Sequence, residues 1–351
     1  MKFLFFNYFQ IYPYLVVNDS GLVDARREER VLQLLRMLNS YLTKSKETSK
    51  RFLHITVPRV VAVSPQMRLV EDDPTSISLL DILKSYCSRL NIEHDAPISR
   101  YYERLGEIQQ RGSQTSHGTF REIFKDIQTN MIPKTVLKDW ATRTFNSATD
   151  YWTFRKMFTL QLSLCCILEY AFHLTRLNAD MMYLHQDSGL LNVSYFKFDL
   201  DDVNGEFNKM RPVPFRLTPN IVEFLTNIGI SGPLQASVIA TARCFLQPNF
   251  QLATILRTIL RDEIITIYRK QIMNTKPTDA NEDLSQDKSF SEINIENVIQ
   301  IINKDTNQII ERLKTLSNFD HSDGNKMSQL IQLARNPDYL CGMDPSYQPW
   351  L

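Results

Sequence analysis

The residues best suited to catalysis lie in the middle of the chain, in two short groups of different chemistry. In the first, His185-Gln186-Asp187, an imidazole stands two residues before a carboxylate, and both groups serve in general acid–base catalysis. In the second, Asp199, Asp201 and Asp202 offer carboxylates of the kind that bind Mg²⁺. Taken alone, these residue types suggest proton transfer or metal-assisted chemistry.

Both groups also have a simpler structural explanation. Asp187 directly precedes a Ser-Gly pair, and Asp, Ser and Gly are residues that build tight turns, so we expect Asp187 to begin a turn. In an extended segment, alternate residues point to opposite faces, which separates Asp202 from Asp199 and Asp201. We therefore favour a solvated acidic loop over a metal site.

Other common chemistries lack their signatures. The six histidines share no ligand spacing, and the five cysteines form no CxxC pair, so a structural zinc site is not expected. No GxSxG nucleophile motif occurs. An odd number of unpatterned cysteines is typical of a reducing compartment. With 40 basic and 39 acidic residues, the chain has no overall positive field for nucleic acid.

The candidate residues belong to a predicted strand–turn–strand unit over residues 173–198. Two apolar runs, "MMYLH" and "LLNVSYF", flank the turn residues Asp187, Ser188 and Gly189. A hairpin of this kind would hold neighbouring side chains in fixed positions. We expect it to position whatever site the chain carries.

The first ninety residues predict strands around one long helix. Residues 1–17 read as one or two strands, although the start also has the charge and apolar run of a signal peptide; Asn7, Gln10 and Pro13 interrupt that run. "FLHITVPRVVAVS" predicts strand, proline break, strand, and "QMRLV" predicts another strand. A helix is expected near 76–90. The helix over 26–43 has its apolar stripe at Val31, Leu34, Leu35, Leu38 and Leu42.

The rest of the chain is predominantly helical in its periodicity. "FTLQLSLCCILEYAFHLT" contains Gln161 and Glu169, which favours a buried helix over a membrane span. Residues 274–292 are polar and predict a linker. The fold class is therefore α+β, in two lobes like a protein kinase. We expect a small lobe at 1–90, a large lobe at 91–273 carrying the hairpin, and a C-terminal helix and tail at 293–351. The tail should dock on its own domain, with the aromatic residues Tyr339, Tyr347 and Trp350 as anchors and Cys341 buried.

Four stretches resemble the phosphatidylinositol-3-kinase-related kinases, a family with a PI3/PI4-kinase fold and a short C-terminal FATC element. They span about 26–351 in the family's order. The stretches are "RREERVLQLL", "SGLLNVSYF", "PVPFRLTPNI" and "LARNPDYLCGMDPSYQPWL". The resemblance implies a nucleotide cleft between the lobes, with catalytic residues on the hairpin and in the loop before it.

At the family's catalytic positions this chain has other residues. The resemblance implies that Arg176 replaces the catalytic Asp, Asn178 the His, Met181 the metal-binding Asn and Tyr195 the metal-binding Asp of DFG. Lys197 would place a cation where Mg²⁺ should bind. The phosphate-binding Lys has no counterpart in "YPYLVVNDSG", and residues 71–73 fall where the adenine-binding hinge would be. Arg176 itself is either a remnant anion site or, more simply, part of an ion pair with a nearby Asp.

The resemblance narrows to the family's pseudokinase branch, whose members assemble SAGA-type and related histone acetyltransferase complexes. It implies a nuclear scaffold domain without catalytic, cofactor-binding or metal-binding residues. Its partners would be subunits of those complexes and, through upstream helical repeats, transcription activators, with no direct nucleic-acid or membrane contact. The chain is then expected to be part of a longer protein. The alternative is an active or nucleotide-binding serine/threonine kinase that uses displaced carboxylates such as Asp199 and Asp201.

Overall fold

The protein is represented by a computed structural model. It describes residues 4–5, 11–18, 26–64, 66–110, 116–208, 211–274, 295–318 and 326–351. The predicted polar linker at 274–292, apart from its first residue, lies outside the described residues.

A small antiparallel sheet and one long helix build the N-terminal lobe. The sheet has the order β3-β5-β4, and β1 pairs with β2 in a separate two-stranded sheet. The elements are β1 Leu4–Phe5, β2 Ile11–Tyr12, β3 Tyr14–Asn18, α1 Arg26–Lys44, α2 Lys46–Ser49, β4 Val60–Ser64 and β5 Met67–Glu71.

Helix α1 fixes the small lobe on the large one. The five residues of its predicted stripe are all fully buried, which stabilises the fold by about 2 kcal/mol for each side chain. At its start, Arg27 Nε lies 2.6 Å from Glu263 Oε2 of the large lobe. Near its end, the Tyr41 ring stacks on Phe250 with centroids 4.0 Å apart. Both ends of the helix therefore hold the lobes in one arrangement.

The predicted hairpin forms, and it recruits a third strand. Its strands are β7 Met182–His185 and β8 Leu191–Val193, and β6 Ser76–Ser78 pairs antiparallel with β7. The chain thus enters the large lobe directly after the acidic residues 71–73, by adding a strand to the hairpin.

Helices make up the remainder of the large lobe and the C-terminal part. The predicted buried helix is confirmed: residues 158–170 of the apolar run form the C-terminal part of α7, which packs against α9. No helix in the described ranges could cross a bilayer. The helices are α3 Leu79–Arg89, α4 Ala96–Gln110, α5 His117–Asn130, α6 Val136–Thr144, α7 Ala148–Tyr170, α8 Pro219–Gly229, α9 Gln235–Phe245, α10 Leu252–Asn274, α11 Ile295–Ser317, α12 Lys326–Arg335 and α13 Pro337–Leu340.

One local prediction is wrong, and one predicted helix is confirmed with a shorter range. No strand forms before the proline in "FLHITVPRVVAVS", because the Asn39 side chain takes the place of a neighbouring strand: it accepts from Ile55 N and donates to Ile55 O, both at 2.8 Å. The helix expected near 76–90 begins only at Leu79, after β6, where Ser78 Oγ accepts from Asp81 N and caps it.

Helix α3 lies inside the predicted small-lobe range but packs against α6 and the hairpin strand β7. Its contacts therefore belong to the large lobe. We propose that the boundary between the lobes lies in the connection before β6, at about 72–75, rather than at residue 90.

One glycine determines the shape of the hairpin turn. Gly189 has φ +71°, and a Cβ atom added there would lie 2.7 Å from Phe154 O of α7. Only glycine combines this left-handed conformation with so close an approach to another backbone. The turn therefore packs the hairpin directly against the N-terminal part of α7.

We expect Gly189→Ala to lower the free energy of unfolding by about 2 kcal/mol or more, because alanine adds both backbone strain and a backbone clash. Chemical denaturation followed by circular dichroism measures this change. Gly106→Ala is the matched control: it lies inside α4 with nothing within 4 Å of the added Cβ, and it should stabilise by about 0.5–1 kcal/mol. Equal effects of the two substitutions would contradict the structure of the turn.

Candidate functional site

The four positions predicted to have lost catalytic residues line one cavity. It has a volume of about 400 Å³, and the C-terminal tail forms its opposite wall. Its lining residues from the loop and the hairpin are Thr175, Arg176, Asn178, Met181, Tyr195, Lys197 and Asp199. We call it the loop cavity. Folding brings the predicted site residues together as expected, and they contribute a thioether, a phenol, an amide and two cations.

The best candidate for a displaced carboxylate, Asp199, already has partners. Its Oδ2 accepts hydrogen bonds from Nε and Nη2 of Arg211 at 2.9 and 2.7 Å. Arg176 Nε lies 3.7 Å from the same oxygen, which is the ion pair predicted for Arg176. An aspartate between two guanidinium groups is held by its own protein, and a metal ion would have to displace those cations.

The other candidates serve in turns. Asp201 accepts from Val203 N at 3.0 Å and from Asn204 Nδ2 at 3.1 Å, while Asp202 is exposed. Within the described ranges, no three His, Cys, Asp or Glu residues come together in a group that could hold a metal ion. Asp201 and Asp202 thus belong to the acidic loop that we favoured from the sequence, whereas Asp199 is an ion-pair partner of Arg211 and not a solvated residue.

His185 and Asp187 do not form an acid–base pair. His185 Nδ1 lies 3.0 Å from Ser188 Oγ inside the turn, and His185 Nε2 lies 3.8 Å from Asp73. Asp187 is exposed at the start of the turn, as predicted. The imidazole therefore links the hairpin to the connection between the lobes.

A feature missed from the sequence lies in the small lobe. Glu28 on α1 is buried, and Arg68 Nη1 on β5 lies 2.8 Å from Glu28 Oε2. The Arg68 guanidinium also stacks over the Tyr195 ring, 4.7 Å from its centroid. Burial and then the charge of Glu28 raise the pKa of Tyr195, so the phenol stays neutral where the resemblance expects a metal-binding carboxylate.

The resemblance predicts a cation only as a lysine on the strand before α1, so it does not indicate the stack of Glu28, Arg68 and Tyr195. The cation is instead an arginine on a strand that comes after the helix. A search for any basic residue within a predicted strand would have found Arg68 in "QMRLV".

The same stack closes one side of a second cavity, between the lobes. This cleft has a volume of about 380 Å³, and Arg68, Tyr195 and the acidic residues 71–73 line it. The acidic run therefore lies in the interlobe cleft, where the resemblance places the hinge. Burial alone would raise the pKa of Asp73, but hydrogen bonds from Thr75 and Ser76 outweigh it and lower the pKa. The Asp73 carboxylate thus accepts hydrogen bonds from Thr75 and Ser76 where β6 begins.

Comparison with known proteins agrees with this geometry. The family model "Phosphatidylinositol 3- and 4-kinase" matches residues 21–268. The chain belongs to the phosphatidylinositol 3- and 4-kinase family. Its fold is also that of the solved FAT and kinase domain of CtTel1, with a TM-score of 0.65 over 97% of this chain and 22% of that one, at 17% identity.

Within the phosphatidylinositol 3- and 4-kinase family, the chain falls in the branch of transcription-associated proteins. It is 58% identical to "Transcription-associated protein 1" of Drosophila melanogaster. It is 29% identical to the "SAGA complex/NuA4 acetyltransferase complex subunit Tra1" of Schizosaccharomyces pombe. Each match covers 97% of this chain but only 9% of the relative.

The family-like segment "PVPFRLTPNI" holds the C-terminal tail through one buried arginine. The Arg216 guanidinium is fully buried. It donates to Tyr347 O and Leu177 O at 2.7 and 3.0 Å, and to Gln348 O and Leu351 O at 3.1 and 2.9 Å. These main-chain oxygens compensate for its burial, and they join the loop before the hairpin to the tail.

Two further side chains complete this clamp. Glu169 of α7 accepts from Arg216 N at 2.9 Å and from Leu177 N at 3.4 Å. Burial raises the pKa of the Glu169 carboxyl, and the positive charge of Arg211 opposes that shift. Asn220 Nδ2 donates to Trp350 O at 2.9 Å. The tail, the loop and α7 thus meet in one hydrogen-bonded unit.

The predicted docking of the tail is largely confirmed. Tyr347, Trp350 and Cys341 are all buried, but Tyr339 is 43% exposed, so the prediction that Tyr339 anchors the tail is wrong. Tyr339 belongs to the short helix α13, whose buried residue is Leu340. The apolar anchor lies nearer the end of the chain.

We expect Arg216→Met to lower the free energy of unfolding by about 3–5 kcal/mol, because four buried main-chain oxygens lose their donor. Deleting residues 339–351 should be at least as damaging, since it exposes the surface under Trp350. Thermal and urea denaturation measure both effects.

Arg335→Met is the control for the Arg216 experiment. Its guanidinium contacts Asn227 on the surface, so its loss should cost less than about 0.5 kcal/mol. A tail deletion that melts at the same temperature as the full chain would contradict the clamp.

Proposed function

We propose that this chain is a kinase-like scaffold domain without phosphoryl-transfer activity, in a nuclear subunit of SAGA-type and related histone acetyltransferase complexes. The observation that carries the proposal is the stack of Glu28, Arg68 and Tyr195. It places an arginine and a neutral phenol between the lobes, beside the loop cavity.

Phosphoryl transfer needs carboxylate or amide oxygens for Mg²⁺, a lysine on the phosphates and a carboxylate at the attacking hydroxyl. In the loop cavity, Met181 and Tyr195 occupy the two positions at which the resemblance expects metal ligands, and Arg176 occupies that of the catalytic carboxylate. Asp199 is bound by Arg211. The residues present therefore do not fit a magnesium–nucleotide complex.

The proposed scaffold role is supported by the relatives and by the contacts that join the two lobes and the tail. The fission yeast relative is named as a subunit of the SAGA and NuA4 complexes. A domain whose lobes are fixed by Arg27–Glu263 and whose tail is clamped by Arg216 offers partners a constant surface. We propose that transcription activators bind to helical repeats upstream of this domain rather than to the domain itself.

One observation favours a second candidate, a nucleotide-binding or active atypical kinase. The interlobe cleft remains about 380 Å³ in volume, and Asp199 lines the adjoining loop cavity. Under this hypothesis, a nucleotide would bind in the cleft, and Asp199 would move from Arg211 to a metal ion.

Thermal denaturation with and without Mg²⁺-ATP distinguishes the two. We expect no shift at millimolar nucleotide, whereas a ligand present at a hundred times its Kd would add about 2.7 kcal/mol of stability. An active family kinase domain serves as the positive control for the nucleotide. A reproducible stabilisation by Mg²⁺-ATP would overturn the claim that the cleft binds no nucleotide.

Substitution of Asp199 provides an independent test. Asp199→Asn should lower the free energy of unfolding by about 2–4 kcal/mol, because the buried guanidinium of Arg211 loses its counter-charge. Radiolabelled phosphate transfer should be at background in both proteins. Asp202→Asn, at an exposed position, is the matched control and should be neutral. Transfer that is present in the wild type and lost selectively with Asp199→Asn would support the kinase hypothesis instead.

A further inference from the structure

The α7 groove, as we call it, is a surface groove separate from both cavities described above. It has a volume of about 770 Å³ and lies between the turn after α2, the first half of α7 and the connection from α8 to α9. None of its lining residues lines the cleft or the loop cavity.

Large apolar side chains are exposed along the α7 groove. Phe52 is 78% exposed, Trp152 59% and Ile228 82%. Single exposed apolar residues are ordinary, but several around one concave surface mark interaction sites. Leu160 and Ile239, which are largely covered, form part of the floor.

The backbone of Phe52 shows that local folding does not account for this residue. Helix α2 ends at this residue in a Schellman motif, in which Leu53 N donates to Thr48 O and Phe52 N donates to Ser49 O. The residue at this position has a left-handed conformation and is usually glycine; Phe52 has φ +57°. A bulky aromatic residue is unfavourable there, and its side chain packs little against its own protein.

The charges around the groove have one sign. Its lining includes Lys50, Arg51, Arg155 and Lys156, and among the described residues no acidic side chain lines it. Arg51 has an acidic partner outside the groove, Glu47, at 4.0 Å. Arg155 also lies over the Trp152 ring at 5.5 Å, so a cation and an aromatic face are presented together.

We propose that the α7 groove binds an acidic amphipathic helix of a partner protein. Aliphatic and aromatic side chains of that helix would occupy the apolar floor beside Phe52 and Trp152, and its carboxylates would face the four cations. The concave shape favours a helix over a flat bilayer. The apolar floor favours it over a nucleic acid, which would place its phosphates against the cations but has no aliphatic face for Leu160 and Ile239.

The test is fluorescence anisotropy with the full 351-residue chain and a labelled synthetic helix. The probe carries Leu and Phe on one face and Glu on the other; a second probe carries Lys in place of Glu. We expect saturable binding of the acidic probe, weakening as salt screens the charges, and no binding of the basic probe.

Two variants separate docking from folding. Phe52→Gly should weaken binding roughly tenfold, which is about 1.4 kcal/mol, with a melting temperature equal to or above that of the wild type. The pair Arg155→Glu and Lys156→Glu should weaken it at least as much. The matched control is the pair Lys125→Glu and Arg257→Glu, which lies outside the groove and should leave binding unchanged.

The competing ligands give the remaining outcomes. Phosphatidylserine vesicles and a single-stranded oligonucleotide should displace the acidic probe poorly. Equal binding of both probes, wild-type affinity in Phe52→Gly, or stronger binding of vesicles or oligonucleotide through the same residues would overturn the proposal.

Discussion

The arrangement of the lobes depends on how a buried carboxylate on α1 is neutralised. Glu28 is nearly inaccessible to water, so its charge requires a close cation. In a kinase of this plan, that cation would be a lysine that also holds the phosphates. Here Arg68 neutralises Glu28 and stacks on Tyr195, so the ion pair joins helix, sheet and hairpin without any ligand. In a kinase the cation beside this glutamate also binds the nucleotide, whereas here Arg68 has both of its partners, Glu28 and Tyr195, within the protein.

The same principle operates on the other side of the loop cavity. Arg211 donates hydrogen bonds to the carboxylate of Asp199, and Arg216 donates to main-chain oxygens of the loop and the tail. Buried guanidinium groups suit this task because five N–H donors in a fixed plane can satisfy several acceptors at once. The arginines therefore stabilise the walls of the loop cavity through contacts within the protein. We infer that the cleft retains the shape of its family because these internal pairs hold its walls.

Local sequence patterns predicted much of this fold, and long-range pairings account for the rest. The α1 stripe, the turn before Gly189 and the buried Trp350 are consequences of periodicity, turn chemistry and apolar content within short segments. The pairing of Arg68 with Glu28 joins two segments about forty residues apart, and no local pattern indicates which strand will face the helix. The strand predicted around Ile55 does not form for a similar reason. The side chain of Asn39 on α1 makes the hydrogen bonds of the Ile55 backbone, and no pattern within the segment indicates this contact.

The candidate site likewise combines features that the sequence indicates with pairings that only the folded structure determines. The assignment of Arg176, Asn178, Met181 and Tyr195 to the family's catalytic positions follows from the resemblance, by counting along the family's motifs from the hairpin turn. Which charges compensate one another was not readable, because Asp199 could equally have faced solvent, a metal ion or Arg211. Only the tertiary contact decides this, and it turns a candidate metal ligand into the counter-ion of an arginine. The inactivity that we propose is therefore a property of paired charges as much as of missing residues.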